Sequence, residues 1–223
     1  MNEVCNIPVF FDIETIPDQR TEALDDILET LKPPASMKKP ETIKKWWEEK
    51  AYDVAQEKLL KTSFDGGRGK IICACVAVAE GAVVKLYGDN EQDIIAGLFQ
   101  HVKSQLGHNQ PLWVGHNIKG FDLPFLFKRC VLNDMKPQVN LDAGNRYSRL
   151  HYDTMTEWAG FTDRISLDEL CKILSVPTPK DNMHGSEVYQ AWQDGRIEDI
   201  ATYCAGDVEA VRNVYNRMTF NNY

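Results

Sequence analysis

The sequence lacks the features that mark membrane and secreted proteins. No run of about 18 apolar residues is long enough to cross a bilayer. The first residues, MNEVCNIPVFFD, lack a basic region followed by a small-residue cleavage site. The six cysteines contain no CxxC pair, and most lie among apolar residues, where a reduced thiol packs as a small hydrophobe. We therefore expect a cytoplasmic protein without membrane association, zinc site or disulfide framework.

Basic residues are outnumbered by acidic ones in the chain as a whole. There are 25 Lys and Arg against 33 Asp and Glu, which gives a net charge of −8 at pH 7. This balance argues against a protein that coats nucleic acid through bulk electrostatics, although local basic patches remain compatible with it. Such a patch is present, because residues 32–70 hold ten Lys or Arg and only six Asp or Glu.

Strand-like and helix-like segments alternate along the chain without internal repeats or low-complexity tracts. Apolar runs predict strands over about residues 7–13, in the hairpin IICACVAVAEGAVVKLYGD, in PLWVGHN and in LHYDTM. Helical spacing predicts helices in TEALDDILETL, over about 41–62 and 91–106, and in GFDLPFLFKRCVLN, SLDELCKIL and IEDIATYCAGDVEAVRNVYNRM. This order indicates the α/β class, with a mixed sheet flanked by helices.

The helices that follow the first strand are typical of an insertion within one domain. A chain of 223 residues can bury one substantial core, so we expect a single domain over residues 1–223. The insertion covers about residues 17–69. Later in the chain, Pro124 fits the first turn of its helix, and Ser166 with Glu169 fits a capping box.

Four acidic residues lie where the pattern predicts strand ends or helix faces beside the core. Asp12 and Glu14 end the strand VFFDIET, and side-chain alternation places both on one face, roughly 7 Å apart. Asp122 opens the helix after PLWVGHN, and Asp207 follows Tyr203 by one helical turn. Buried carboxylates are costly unless neutralised, and hard divalent cations bound by oxygen neutralise them. The pattern therefore predicts a divalent metal site.

Three motifs resemble, in order, those of a known superfamily. FFDIET, GHNIKGFDLPFL and YCAGDVEAV are similar to the three exonuclease motifs of the DnaQ-like superfamily, in its tyrosine (DEDDy) subgroup. The resemblance is greatest to predicted 3'-to-5' exonucleases related to the proofreading domain of family B DNA polymerases, and it extends over almost the whole chain. It implies a ribonuclease H-like fold, with a five-stranded mixed sheet flanked by helices and a helical insertion after the first strand.

The resemblance also implies which residues form the active site. Asp12, Glu14, Asp122 and Asp207 match the four metal-binding acids, and Tyr203 matches the tyrosine that orients the attacking water. The alternative subgroup has a histidine five residues before the last aspartate. The residue there is a threonine.

Four further positions match residues that contact the substrate in that superfamily. Thr15 and Ile16 correspond to contacts with the terminal nucleotide, and Asn117 and Phe121 correspond to contacts made by the second motif.

These residue types suit phosphodiester hydrolysis by a two-metal mechanism. Two Mg²⁺ or Mn²⁺ ions, roughly 3.5 to 4 Å apart, stabilise the attacking and the leaving oxygen. We expect Asp12 to bridge both ions, Glu14 and Asp207 to serve the water side, and Asp122 to serve the leaving group. Tyr203 has a reference pKa of about 10, so it is a poor base at neutral pH and is expected to position the water instead.

The sequence is therefore interpreted as a metal-dependent 3'-5' exonuclease that acts on the 3' ends of single-stranded DNA. Two alternatives remain open. One is an exoribonuclease on the same scaffold, since the fold does not fix the sugar. The other is a nucleic-acid-binding module with an inactive site. No polymerase or helicase segment is evident, so we expect any proofreading to require a separate replication or repair partner.

Several polar residues suit either a functional or a structural role. His116, His151 and His184 are conceivable ligands, but a histidine at a strand end more often forms internal hydrogen bonds. Asp153 suits either a fifth acid near the site or a helix cap.

Two further groups have the same ambiguity. Trp46 and Trp47 lie among lysines, an arrangement that suits either base stacking beside a basic track or attachment of the insertion to the core. The candidates for phosphate contact, or for ordinary surface charge, are Arg146, Arg149, Arg164 and Lys180.

Overall fold

A five-stranded mixed sheet organises the chain in the computed structural model, which describes residues 5–145, 147–178 and 183–221. The strands are β1 (Asn6–Ile16), β2 (Lys70–Val78), β3 (Val84–Tyr87), β4 (Gln110–Gly115) and β5 (His151–Asp153). Their order is β3-β2-β1-β4-β5. β1 is antiparallel to β2 and parallel to β4, and β4 is parallel to β5. The predicted five-stranded mixed sheet is confirmed.

Helices cover both faces of this sheet. They are α1 (Ala23–Thr30), α2 (Pro40–Glu49), α3 (Ala51–Lys61), α4 (Glu91–Leu106), α5 (Asp122–Leu132), α6 (Thr154–Ala159), α7 (Leu167–Leu174), α8 (Val188–Gln193) and α9 (Ile197–Met218). Pro124 lies in the first turn of α5, as predicted, and the Ser166 side chain caps α7 by accepting from the Glu169 N–H, which is one of the two hydrogen bonds of the predicted capping box. None of the helices in the described ranges is long and apolar enough to span a membrane.

The side chains of β1 divide the core into two halves. Val9, Phe11 and Ile13 belong to the apolar cluster that α4 and α5 cover. Phe10 belongs to the opposite cluster, which includes residues of α8 and α9. Because side chains alternate along a strand, the residues that continue the Phe10 face are Asp12 and Glu14.

The segment between β1 and β2 has a small apolar core of its own. Trp46, Ala51 and Ala55 pack there with Ile27 of α1 and with Leu31, which follows α1. One continuous helix over 41–62 was expected, and this was wrong, because the helix is interrupted at Lys50 between α2 and α3. In an unbroken helix, Trp46 and Ala51 would point about 140° apart. The break lets both face the same cluster.

Candidate active site

β1 presents two carboxylates toward α9 at its carboxyl end. Asp12 lies opposite Cys75 and Glu14 lies opposite Cys73 in the antiparallel register with β2. The register shifts between Glu14 and Thr15, where β2 contributes one extra residue. Such bulges bend a strand and increase its twist, and they are frequent beside active sites. Asp12 and Glu14 are both partly exposed, so the site is open to solvent.

α9 places a third carboxylate over this pair. Asp12, Glu14 and Asp207 each offer one oxygen, and these oxygens all lie within 4.8 Å of one another. Asp207 is partly exposed, and it lies one helical turn beyond Tyr203, with which it shares a hydrogen bond. The two acids of β1 and the distant Asp207 therefore meet as the predicted pattern requires.

Asp122 approaches the cluster from the start of α5 and is 3% exposed. Pairing between β1 and β4 ends at Phe10 with Val114, so the part of β1 that extends beyond β4 lacks ladder partners on that side. Asp122 Oδ1 occupies this position and accepts a hydrogen bond from the Ile13 N–H at 3.3 Å. Asp122 is not a member of the 4.8 Å group, although its charge acts on Asp12 and Glu14.

The electrostatics of the four acids favour a bound cation. Burial raises the pKa of Asp12 well above its usual range, and the charges of Asp122, Glu14 and Asp207 raise it further. The pKa of Glu14 is raised by burial and by Asp207. Burial also raises the pKa of Asp122 to about 7, although two backbone N–H groups act in the opposite direction. Each raised pKa means that the ionised carboxylate is disfavoured here, because burial and neighbouring negative charge are not compensated by positive charge.

One atom of the cluster is unsatisfied. Asp12 Oδ2 is buried and has no hydrogen-bond partner among the described residues. A buried acceptor without a partner is rare in folded proteins, because it loses its hydration without replacement. A cation coordinated between the carboxylates would satisfy it. Hard oxygen donors of this kind suit Mg²⁺ or Mn²⁺, so the residues present fit the predicted ions.

Tyr203 remains protonated at neutral pH. Burial raises the pKa of its hydroxyl above the ordinary value, and the neighbouring charges of Asp207, Glu14 and Asp12 raise it further. The hydroxyl is therefore a hydrogen-bond donor at the edge of the acidic cluster. This supports the predicted role in positioning a water molecule rather than in removing its proton.

The four expected substrate contacts have different environments. Thr15 is partly exposed, and its Oγ1 donates to the Ser63 carbonyl at 2.7 Å. Phe121 precedes α5, and its ring lies 5.4 Å from that of Phe125. The expected contact of Ile16 with the nucleotide was wrong. The Ile16 side chain is fully buried in the apolar cluster that includes residues of α9, so it has no exposed surface for a nucleotide.

Asn117 adopts the left-handed conformation, with a φ of 63°. A Cβ at Gly120 would lie 2.5 Å from Asn117 Oδ1, so the adjacent glycine leaves room for this amide. Asn117 lines a cavity of about 370 Å³ together with Lys119 and Arg164. The exposed Arg164 therefore stays a candidate for phosphate contact, and Arg149 is exposed elsewhere in the same region.

Histidines and Asp153 have structural roles. His116 bonds Thr154 Oγ1 at 2.9 Å and the Ile165 carbonyl at 2.8 Å. Asp153 is fully buried and caps α6 through two backbone N–H groups, while it also accepts from the N–H groups of Asn117 and Lys119. His151 bonds the Leu141 carbonyl at 2.7 Å. His184 caps a short 3-10 turn.

Other candidates divide between core and surface. Trp46 is 7% exposed and anchors the insertion core, whereas Trp47 is 41% exposed and packs edge-on against it. Arg146 and Lys180 lie outside the described residues.

Three cysteines meet behind the acidic cluster, which the sequence did not indicate. Cys73 and Cys75 on β2 and Cys204 on α9 place their sulfurs within 4.8 Å of one another. All three are fully buried free thiols, and Cys204 Sγ donates to the Asp12 carbonyl. Their burial agrees with the expected role as small hydrophobes. Only the pairing of β1 with β2 under α9 brings them together.

The sheet order and the helices on both faces define a ribonuclease H-like α/β protein. A family model described as "predicted 3'-5' exonuclease related to the exonuclease domain of PolB" matches residues 69–222. The chain belongs to this family. The match includes Asp122, Tyr203 and Asp207 but not Asp12 or Glu14, so it is shorter than the resemblance expected from the motifs. In the structure, β1 pairs with β2 and β4, which both lie in the matched region.

A solved structure supports the fold. The chain is similar to a family B DNA polymerase from the hyperthermophilic archaeon Pyrobaculum calidifontis, with a TM-score of 0.59 and 15% sequence identity. The similarity covers 96% of this chain and 24% of the polymerase chain, so the protein spans about a quarter of that polymerase's length. The predicted ribonuclease H-like fold is confirmed. A search of curated proteins finds no significant match.

Proposed function

We propose that the protein is a metal-dependent 3'-5' exonuclease that hydrolyses single-stranded DNA from its 3' end. The observation that carries this proposal is the meeting of Asp12, Glu14 and Asp207, with one oxygen of each within 4.8 Å of the others. Such a cluster opposes folding unless it serves a cation. The description of the family to which the chain belongs names the same activity and the same 3'-to-5' direction.

Divalent ions at this site would be held by the four acids. Asp12, Glu14 and Asp207 suit one ion, and Asp122 with Asp12 suits a second. When bound, two such ions supply charge stabilisation to the attacking and leaving oxygens of a phosphodiester.

The chain's own residues would place the reactants. The Tyr203 hydroxyl donates its one proton to Asp207, so it would fix the direction of the attacking water by accepting a hydrogen bond from it. The Ile13 N–H holds the Asp122 carboxylate in place through its hydrogen bond. Phe121 and Asn117, on the loop between β4 and α5, would contact the terminal nucleotide.

DNA is proposed as the substrate, rather than RNA, because both similarities involve DNA polymerases. The family description refers to the exonuclease domain of PolB, and the similar solved structure is a family B DNA polymerase.

The test is digestion of single strands labelled at either end. With Mg²⁺ or Mn²⁺, a 5'-labelled oligodeoxynucleotide should shorten stepwise, while a 3'-labelled one should release its label at once as a mononucleotide. EDTA should stop both reactions. Asp207→Asn should abolish them, whereas Glu209→Gln, a matched change at an exposed position of α9, should not.

Three outcomes would contradict the proposal. Release of label from the 5' end first would exclude the direction. Faster digestion of a matched RNA strand would favour an exoribonuclease. Tight binding to 3' ends without metal-dependent cleavage would favour an inactive binding module.

A further inference from the structure

An exposed aromatic ring lies beside the proposed active site and has no role in it so far. Phe64 ends a short 3-10 turn (Thr62–Phe64) after α3, and 73% of its surface is exposed. Its ring centroid lies 6.4 Å from that of Phe121, the residue immediately before Asp122. A single exposed apolar residue needs no explanation by itself, so its surroundings must decide its role.

The backbone around Phe64 is fixed to the site. The Ser63 carbonyl accepts from Thr15 Oγ1 at 2.7 Å, and Thr62 Oγ1 accepts from the Asp18 N–H at 2.8 Å. The following chain lies directly on α5, since a Cβ at Gly66 would be 2.9 Å from the Phe125 Cα. Phe64 is therefore presented at a defined position next to the carboxyl end of β1.

A basic cleft lies beside the chain that follows Phe64, since Gly67, Arg68 and Lys70 line it. It encloses about 770 Å³, and its charged lining is four basic and two acidic side chains: Arg20, Arg68, Lys70, Arg129, Asp18 and Asp26. Lys70 opens β2 directly opposite Ile16, so the cleft begins where the acidic strand ends. Arg129 lies two turns along α5 from Asp122, roughly 10 Å along the helix axis.

Positive charge in the cleft is only partly neutralised. Arg20 pairs with Asp18 at 2.8 Å, and Arg129 pairs with Glu91 at 2.7 Å. Lys70 donates to a backbone carbonyl, a contact that leaves its charge uncompensated. Arg68 is exposed, and its charge helps to lower the pKa of Asp18 and Asp65, although it forms no ion pair within 4.0 Å in the described part of the chain. Unpaired cations beside an exposed ring are the combination that grips single strands without reading their sequence.

We infer that Phe64 stacks a base of the single strand next to its cleaved end, and that Arg68 and Lys70 bind phosphates on the 5' side. This inference rests on the proposed function. The occupant is a single-stranded nucleic acid, because an exposed ring suits a base and the neighbouring charge suits its phosphates. Phe64 and Arg68 lie outside the residues matched by the family model, whereas Lys70 lies inside them.

The test compares a long and a minimal substrate. The long one is a single-stranded decadeoxynucleotide, and the minimal one is the p-nitrophenyl ester of thymidine 5'-monophosphate, which has no strand on the 5' side. Phe64→Ala should lower the ratio of kcat/KM for the strand over the ester by about tenfold, within the range of one base stack. Arg68→Ala should reduce the slope of log KM against log salt by roughly 0.7.

Phe220→Ala is the matched control. Phe220 is 74% exposed, but it lies beyond the end of α9, thirteen residues from Asp207. Phe220→Ala should leave kcat/KM unchanged for both the strand and the ester. Unfolding midpoints of the variants should differ little from the wild type, because each of these side chains is mostly exposed.

A binding measurement separates this inference from the proposed function. In an Asp207→Asn background with Mg²⁺, anisotropy of a labelled decamer should show about tenfold weaker binding with Phe64→Ala and intact binding with Phe220→Ala. Equal loss on both substrates, no change with Phe64→Ala, or no binding by the parent protein would overturn the inference. Failure of the wild type to hydrolyse the ester or the strand would instead overturn the exonuclease proposal.

Discussion

The two faces of β1 have opposite effects on the protein. On one face, Val9, Phe11 and Ile13 pack into the apolar cluster under α4 and α5. On the other, Asp12 and Glu14 face α9, together with a third carboxylate. Burial of the first face stabilises the fold, while the like charges of the second oppose it. One strand can do both because alternate side chains point to opposite faces.

The contrast is sharpest at the carboxyl end of β1. The apolar face stays covered there, but the α9 face changes from the fully buried Phe10 to the partly exposed Asp12. β1 also extends beyond β4 at this point, which opens the sheet edge to Asp122. The apolar face of β1 therefore contributes stability, while the proposed catalytic acids lie on its other face.

The largest predicted effect comes from exchanging neighbours on the two faces. Phe11→Ala removes a fully buried ring packed against Trp113 and should lower the free energy of unfolding by about 3 to 5 kcal/mol. Asp12→Asn should raise it in metal-free buffer, on the order of 1 kcal/mol, because it removes one of several repelling charges. Denaturant titration in EDTA measures both.

Activity should show the reverse order. Asp12→Asn should slow hydrolysis of a single strand at least about a thousandfold, which corresponds to roughly 4 kcal/mol of barrier. Phe11→Ala should retain kcat within severalfold per folded molecule, at a temperature where it remains folded. If Asp12→Asn lost both activity and stability, the acidic face would be structural and the comparison would fail.

The acidic face should also give metal-free stability an unusual pH dependence. Asp12, Glu14 and Asp122 have folded-state pKa values above their ordinary ones, so the folded protein holds protons that the unfolded chain has released. Stability should therefore fall as pH rises from about 4, the unfolded pKa, through about 7, the folded pKa of Asp122. Where one carboxyl is protonated in the folded protein and ionised in the unfolded chain, the loss is about 1.4 kcal/mol for each increase of one in pH.

Buried histidines act in the opposite direction, so a variant is needed to isolate the effect. Burial lowers the pKa of His116 and His151, and their contribution to stability is lost as pH falls below about 6.5. The slope of unfolding free energy against pH, measured in EDTA between pH 5 and 8, should be more negative for wild type than for Asp122→Asn. Mg²⁺ should flatten the wild-type slope. Equal slopes in both proteins would refute the assignment.

Tyr203 separates positioning from charge at the acidic face. Tyr203→Phe keeps the ring but removes the hydroxyl that bonds Asp207, so kcat should fall about ten- to a hundredfold while KM stays constant. The pH profile of kcat should keep its shape, since the hydroxyl stays protonated throughout. Loss of one limb of that profile would show that Tyr203 acts as a base instead.

Much of the fold follows from local patterns in the sequence. The bounds of α4 and α9 agree with the helical spacing of their apolar residues, because each buries a continuous stripe against the sheet. The interruption at Lys50 was missed because it arises from tertiary packing of Trp46 and Ala51 rather than from a helix-breaking residue. The sequence contains no proline or glycine there.

Local patterns in the sequence also predicted part of the site. Alternation predicted that Asp12 and Glu14 share a face, and helical spacing predicted the pairing of Tyr203 with Asp207. Distances across the sheet were beyond reach, since they depend on the register of β1 with β2 and β4. Ile16 was expected to contact the substrate because the resemblance implied it, whereas the structure buries it in the apolar cluster that includes residues of α9.

The smallest predicted effect tests whether the two faces are independent at one residue. The Ile13 side chain lies in the apolar cluster and is 3% exposed, while its N–H points along the sheet, beyond the end of the β4 pairing, and holds Asp122 there. Ile13→Val removes one methylene and keeps the N–H, so it should cost about 1 kcal/mol of unfolding free energy and leave kcat unchanged. Denaturant titration and the strand assay measure the two quantities. A fall in kcat would mean that packing on the apolar face sets the position of Asp122, so that the two faces of β1 are coupled through its backbone.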